Sequence, residues 1–140
     1  MDRSMEDYDA FEKRLKEQYP KMFERPYGGI CVDQGWWPII ESLCDNIQGY
    51  IDWQNKNQDK TPVEQVVVTQ IKEKFGGLRF YYDGGDDRVY GMVAMAESWA
   101  DRHCEECGKP GKRRSGGWIK TLCDEHEAER QARYKERFGE

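Results

Sequence analysis

Residues 65–83, QVVVTQIKEKFGGLRFYYD, decide the fold that the sequence predicts. Two runs rich in β-branched and aromatic residues flank Gly76-Gly77, a pair suited to the positive φ angles of a tight hairpin turn. A hairpin of two strands is marginal by itself and needs other elements packed on one face. The segment therefore predicts an antiparallel hairpin with a buried face and an outer face.

Side chains alternate between the two faces of such a hairpin. Pairing across the two glycines places Lys72 opposite Tyr81 and Lys74 opposite Arg79. These four side chains then share one surface, called here the basic face. Its three cations would repel one another in a bare sheet, so we expect carboxylates from elsewhere in the chain to pair with them. The alternative is an anion or nucleotide site, in which the cations supply charge and the tyrosine supplies stacking.

Three other segments have apolar residues at three- and four-residue spacing, the pattern of amphipathic helices. We predict helices over 6–18, from about 36 to 55, and over 87–102. The fold class is then α+β, with three helices packed on a small antiparallel hairpin or sheet. This domain covers 1–102, and a separate unit covering 103–140 packs against it.

The C-terminal unit contains two pairs of metal-ligand residues, Cys104 with Cys107 and Cys123 with His126. Zinc favours four such ligands in a tetrahedron, and a spacing of three places the second pair on one face of a helix. The pattern predicts one zinc ion in a treble-clef-like unit of knuckle, hairpin and helix. His103 is an alternative to His126. Because four ligands are available, we expect a closed structural site, whereas a catalytic zinc keeps one position open.

Two adjacent tryptophans, Trp36 and Trp37, begin the second helix. Successive helical side chains point about 100° apart, so one ring can be buried while the other is exposed as an anchor for a partner. Burial of both rings is the alternative. A basic run from Lys112 to Arg114 lies on the hairpin of the zinc unit. We expect it to be a solvated hairpin tip, the alternative being contacts with phosphates.

Composition narrows the classes of function. The 22 Lys and Arg residues against 27 Asp and Glu residues give a net charge of −5, which argues against non-specific coating of DNA. No segment resembles a signal peptide or an apolar membrane span. We therefore expect a soluble cytoplasmic protein with no membrane partner, in which Cys31 and Cys44 are free buried thiols.

Four motifs follow one another in the order GW, KEKFGGLRFYYDGG, CEECGKPG and GWIKTLCDEH. This order resembles that of a family of small uncharacterised proteins encoded by bacteriophages and prophages, over about residues 19–128. The resemblance implies a phage origin and action in the host bacterial cytoplasm. It implies no particular activity.

These features together favour a non-enzymatic zinc-containing binding protein. We expect its partner to be a host or phage macromolecule, a protein before any other, and inhibition of host machinery or of a host defence is one such role. The alternative is a protein that binds nucleic acid or a nucleotide on the basic face. A third class is an enzyme that uses a divalent ion at Asp83, Asp86 and Asp87. We disfavour it because a turn and a helix cap account for these carboxylates.

Overall fold

A three-stranded sheet surrounded by helices forms the centre of the fold. The computed structural model describes residues 7–26 and 28–139, and the start of the first predicted helix, at Glu6, lies outside them. The elements in chain order are α1 (Tyr8–Gln18), β1 (Ile30–Cys31), a 3-10 turn (Gln34–Trp36), α2 (Trp37–Lys56), β2 (Val67–Lys74), β3 (Gly77–Asp83), α3 (Asp87–Ala100), β4 (Lys112–Arg114), β5 (Lys120–Leu122) and α4 (Asp124–Phe138).

The turn of the central hairpin is Phe75-Gly76, not the predicted Gly76-Gly77. Both turn residues have positive φ angles, 54° and 79°, as a two-residue turn of this kind requires. The pairing of β2 with β3 therefore places Lys72 opposite Arg79 instead of its predicted partner. The register differs from the predicted one by two positions, an even number, so the paired side chains from Gln70 to Lys74 keep their faces, and a β-bulge between Val68 and Gln70 interrupts the alternation before them. The basic face is retained.

The short strand β1 extends the hairpin into a sheet of order β1-β2-β3. It pairs with β2 in the parallel sense, with Ile30 opposite Ile71. Cys31 lies on this edge strand and is exposed, so the prediction that it is buried is wrong. Cys44, on α2, is free and buried as predicted. Burial raises the pKa of its thiol far above the usual range, which makes it unreactive.

One apolar core joins the sheet to the first three helices. Each of these helices and both long strands contribute side chains to it, among them Phe11, Leu15, Ile40, Ile47, Ile51, Ile71, Leu78, Phe80, Val89 and Val93. Asp86 begins α3 by accepting hydrogen bonds from the backbone N–H groups of Arg88 and Val89. The fold class is α+β, as the sequence predicts.

The described residues form four α-helices, one more than the three predicted to pack on the sheet, and the additional one is the helix of the C-terminal unit. The fourth, α4, belongs to the C-terminal unit and has no buried residue. The small core of this unit consists of Cys104, Leu122 and Cys123. None of the helices in the described ranges combines the length and the apolar composition needed to cross a bilayer.

Candidate metal centre

A tight knuckle carries the first two candidate ligands, Cys104 and Cys107. The N–H of Gly108 donates to the carbonyl of Cys104 at 2.8 Å, and the N–H of Cys104 donates to the carbonyl of Lys109, also at 2.8 Å. Gly108 has a φ of 81°, a conformation that side chains other than glycine rarely adopt. These bonds fold the backbone so that both sulfur atoms point toward the same side.

The second pair of ligands lies at the start of α4. Cys123 is the N-cap residue of the helix, and its sulfur accepts the N–H of His126 at 3.4 Å. His126 is one turn further on and presents Nδ1 to the sulfur atoms. The Cys123 side chain therefore serves as both helix cap and candidate ligand, and this double role fixes where the helix begins.

The four donor atoms fit a tetrahedral metal ion. All lie within 4.8 Å of one another. The sulfurs of Cys107 and Cys123 are 3.8 Å apart, and Nδ1 of His126 lies 3.5 Å from the sulfur of Cys104 and 3.3 Å from that of Cys123. A zinc ion with bonds of about 2.3 Å to sulfur and about 2.0 Å to nitrogen requires S···S edges of about 3.8 Å and S···N edges of about 3.5 Å. The cluster is compatible with a metal site of this geometry.

The electrostatics of the thiols also suit metal binding. Burial alone would raise the pKa of Cys123, but hydrogen bonds from the backbone and side chain of His126 and from the neighbouring thiols outweigh it, and the pKa falls to about 7. Burial raises the pKa of Cys107 to about 11. A metal ion deprotonates a thiol that coordinates it, so the two values are not an obstacle to ligation.

The alternative ligand, His103, does not join the cluster. Its Nδ1 lies 2.8 Å from the carbonyl oxygen of Trp99, and its ring packs against the indole of Trp99 with centroids 4.9 Å apart. The ring is therefore directed toward the end of α3, away from the sulfur atoms. The structure favours His126 in the fourth position.

The knuckle is attached to the start of α2 by direct backbone contacts. The N–H of Gly35 donates to the carbonyl of Glu105 at 2.9 Å, and the indole N–H of Trp36 donates to the carbonyl of His103 at the same distance. A Cβ atom on Gly35 would lie 2.6 Å from two atoms of Glu105 and closer still to the carbonyl of Cys104. Sequence reasoning missed this contact, although the Gly-Trp dipeptide is its local signature.

Both tryptophans at the start of α2 are buried, which corrects the hypothesis that one is an exposed anchor. Trp36 is 0% exposed. Trp37 is 6% exposed, stacks on Phe11 at 4.5 Å, and donates its indole N–H to the carbonyl of Val32. Phe11 of α1 covers the ring of Trp37, and the knuckle lies against Trp36.

A second attachment joins the C-terminal unit, called the metal unit from here on, to the turn of the central hairpin. The carbonyl of Gly76 accepts hydrogen bonds from the hydroxyl of Thr121, at 2.6 Å, and from the guanidinium of Arg113. Arg113 also forms an ion pair with Asp101 at 2.6 Å. In the same basic run, Arg114 pairs with Asp124 at 2.7 Å. Two of the three cations of this run therefore have structural partners.

The cations of the basic face differ from those of this run. Among the described residues, no ion pair involves Lys72, Lys74 or Arg79, so the expected pairing with carboxylates is not seen in this part of the chain. The ammonium of Lys72 lies 5.8 Å from the centre of the Tyr81 ring, which is 41% exposed. The surface therefore presents unpaired positive charge beside an accessible aromatic ring.

Two of the three aspartates considered for a catalytic ion have other roles, and the third, Asp87, lies in the first turn of α3. Asp83 pairs with Arg25 at 2.9 Å, and Asp86 caps α3. The hydroxyl of Tyr50 donates to Asp86 and, with the capping N–H groups, lowers the pKa of its carboxyl. Within residues 7–26 and 28–139, the Cys/His cluster is the only group of three or more such ligands placed to hold one ion.

Two surface cavities have mainly apolar linings. The larger, of about 440 Å³, is a groove between α2 and α3 that includes Ile39, Met95 and Trp99. The other, of about 310 Å³, lies where the metal unit meets the central hairpin and is lined by Glu73, Lys74, Phe75, Gly117, Trp118 and Ile119. Sequence reasoning singled out neither Phe75 nor Trp118.

Comparisons with known proteins give no relative from which a function can be transferred. The sequence matches no family model, and it has no significant match among curated proteins or solved structures.

Proposed function

We propose that this chain is a zinc-containing binding protein in which the zinc ion is structural. Cys104, Cys107, Cys123 and His126 would hold one ion, in the treble-clef-like order of knuckle, hairpin and helix. The observation that carries the proposal is the cluster of four donor atoms within 4.8 Å of one another, three of whose six mutual distances are 3.3, 3.5 and 3.8 Å, close to those of a zinc tetrahedron. Three sulfur donors select a borderline-soft ion such as zinc over magnesium or calcium.

Two features support a structural rather than a catalytic role. Four protein donors complete a zinc tetrahedron and leave no position for water or substrate. The C-terminal unit also has too little apolar core to hold its own fold, because only Cys104, Leu122 and Cys123 are buried hydrophobic residues there. A metal ion supplies the cross-links that this core lacks.

The partner is proposed to be a macromolecule of the host or of a phage. The resemblance to phage and prophage proteins supports a phage origin and a place of action in the host bacterial cytoplasm. Exposed Met95 and Trp99, which line one groove, support binding, since soluble monomers seldom expose large contiguous apolar patches. Inhibition of a host process is one role that such a binder would serve.

Metal analysis tests the zinc proposal. The purified chain should contain about one zinc ion per molecule, and Cys107→Ser should lower this content and reduce stability. Cys31→Ser is the matched control, because Cys31 is also an exposed thiol but lies outside the cluster. A chain without zinc, or a Cys107→Ser variant with the zinc content and stability of the control, would refute the proposal.

A second candidate function is binding of a nucleic acid or nucleotide on the basic face. The three cations of the basic face, of which Lys72 lies beside the Tyr81 ring, favour it, because none of them has a carboxylate partner among the described residues and phosphates would supply the negative charge. Since no described carboxylate forms an ion pair with Arg79, Arg79→Ala should change stability by less than about 0.5 kcal/mol. The same substitution should weaken binding, and the binding that remains should fall steeply as salt is raised.

A further inference from the structure

An energetically unfavourable phenylalanine occupies the turn of the central hairpin. The two positions of such a turn favour Asn, Asp or Gly, because both require positive φ. Phe75 adopts a φ of 54°, and it is the one non-glycine residue with positive φ in the described part of the chain. Its side chain is 67% exposed, so burial does not account for it. A strained, exposed aromatic residue points to a role outside the fold.

A second exposed aromatic side chain lies on a fixed loop nearby. Trp118 is 76% exposed and follows Gly116 and Gly117 between β4 and β5. The guanidinium of Arg130, on α4, donates to the carbonyls of Trp118 and Ser115. An ion pair with Glu127 at 3.0 Å orients that guanidinium in turn. The backbone of the loop is therefore anchored, while the indole remains accessible.

The metal unit brings these two aromatic side chains to one cleft. Thr121 and Arg113 attach the β4–β5 hairpin to the carbonyl of Gly76, the residue next to Phe75. Phe75 and Trp118 then line the same cavity of about 310 Å³, together with Ile119 and Lys74. Because the attachment has a defined geometry, the two rings belong to a preformed site.

A row of basic side chains extends from this cleft along the sheet. Lys74 is both a wall of the cleft and a member of the basic face, where Lys72 and Arg79 follow it. Alternate residues of a strand are about 6.7 Å apart, a separation comparable to that of successive phosphates in an extended nucleic-acid strand. The cleft and the basic face thus form one continuous surface, with stacking groups at one end and charge along its length.

We propose that this surface binds single-stranded nucleic acid, with an unstacked base held between Phe75 and Trp118 and the flanking phosphates on the basic face. The inference rests on the second candidate function and specifies its ligand. A single strand is favoured over a duplex because only an unpaired base can enter between two aromatic rings. The net charge of −5 also argues against a duplex held by phosphate contacts alone.

Fluorescence anisotropy with labelled oligonucleotides of about 10 residues tests the proposal. The zinc-loaded full chain is titrated against single-stranded DNA, single-stranded RNA and duplex DNA of one sequence, at about 50 mM and about 200 mM salt. We expect binding to one or both single strands, weaker binding to the duplex, and a loss of affinity at the higher salt. The RNA and DNA arms show which sugar is accepted.

Substitutions locate the site. Trp118→Ala and Phe75→Asn should each weaken binding about 10-fold or more, as removal of one stacking residue does. Asn suits the Phe75 position of the turn, so that variant should keep the wild-type melting temperature or exceed it. Trp53→Ala is the matched control, because Trp53 is 51% exposed but lies on α2, away from the cleft. It should bind as the wild type does.

Four outcomes would overturn the inference. Wild-type affinity in both Trp118→Ala and Phe75→Asn would show that the cleft is not part of the binding site. If Arg79→Ala still weakened binding, the basic face alone would be the site. No binding to any oligonucleotide at low salt would overturn both ideas and leave the structural zinc proposal untouched. Equal affinity for duplex and single strand would show that no base enters the cleft. Capture of an acidic protein that depends on Trp118, without oligonucleotide binding, would assign the cleft to a protein.

Discussion

Substitution of Trp36 by phenylalanine should destabilise the protein by about 2–4 kcal/mol. Trp36 is completely buried, and its indole N–H donates to the carbonyl of His103 at 2.9 Å. Phenylalanine keeps an aromatic ring at this position but has no donor. The carbonyl would then be left without its partner at a partly buried contact, which costs about 1–3 kcal/mol. The smaller ring also leaves a cavity, which adds about 1 kcal/mol.

Urea unfolding in the presence of excess zinc measures this loss. Zinc must be in excess in every sample because a ligand of the folded state adds stability by mass action. The matched control is Trp118→Phe, the same change at a tryptophan that is 76% exposed. It should remain within about 0.5 kcal/mol of the wild type. A chelator should also extract zinc faster from Trp36→Phe, because His103 directly precedes the ligand Cys104.

The result that would refute this reasoning is equal stability of Trp36→Phe and Trp118→Phe. It would mean that the contact between the start of α2 and the knuckle carries no energy, and that the metal unit is not held there. Unchanged zinc extraction with the expected loss of stability would instead limit the role of Trp36 to the main core.

Two further changes test the contacts described above. Gly35→Ala should destabilise the protein by about 2 kcal/mol or more, because the new Cβ would lie 2.6 Å from atoms of Glu105. The control Gly49→Ala lies in open space on α2 and should stabilise the protein by about 0.5–1 kcal/mol. Equal melting temperatures of the two variants would contradict the contact. Asp86→Ala should cost about 1 kcal/mol at neutral pH through loss of the α3 cap. The pKa of Asp86 is lowered in the folded state, so its contribution to stability is present above the unfolded-state pKa of 3.8 and is lost as the pH falls through the folded-state pKa. The difference in unfolding free energy between variant and wild type, measured by urea unfolding at several pH values, should therefore disappear in acid.

Local patterns in the sequence were sufficient for much of the architecture. The α+β class, the hairpin over 65–83 and the helix over 87–102 follow from periodicity and turn residues, and the structure has elements at each place. Two spacings of three residues identified the candidate metal ligands. The structure brings these four side chains together, because a knuckle and the first turn of a helix are both short-range geometries.

The turn register shows where local patterns are insufficient. Two adjacent glycines at Gly76 and Gly77 indicated the turn, but either of them can adopt positive φ, so the sequence did not decide between adjacent registers. The structure places Phe75 in the turn, which a propensity argument disfavours. The attachment of Thr121 and Arg113 to the Gly76 carbonyl is part of the reason, and it comes from a distant segment.

The sequence by itself determined most of the elements, the face shared by Lys72, Lys74, Arg79 and Tyr81, and the four metal-ligand candidates, because each of these depends on neighbours within a few positions. Only the tertiary structure decided that both Trp36 and Trp37 are buried, that no described carboxylate pairs with the cations of the basic face, and that Phe75 and Trp118 line one cleft. Each of those properties depends on which distant segment packs there. Such contacts form when non-local segments exclude water together, and no local spacing of residues encodes them.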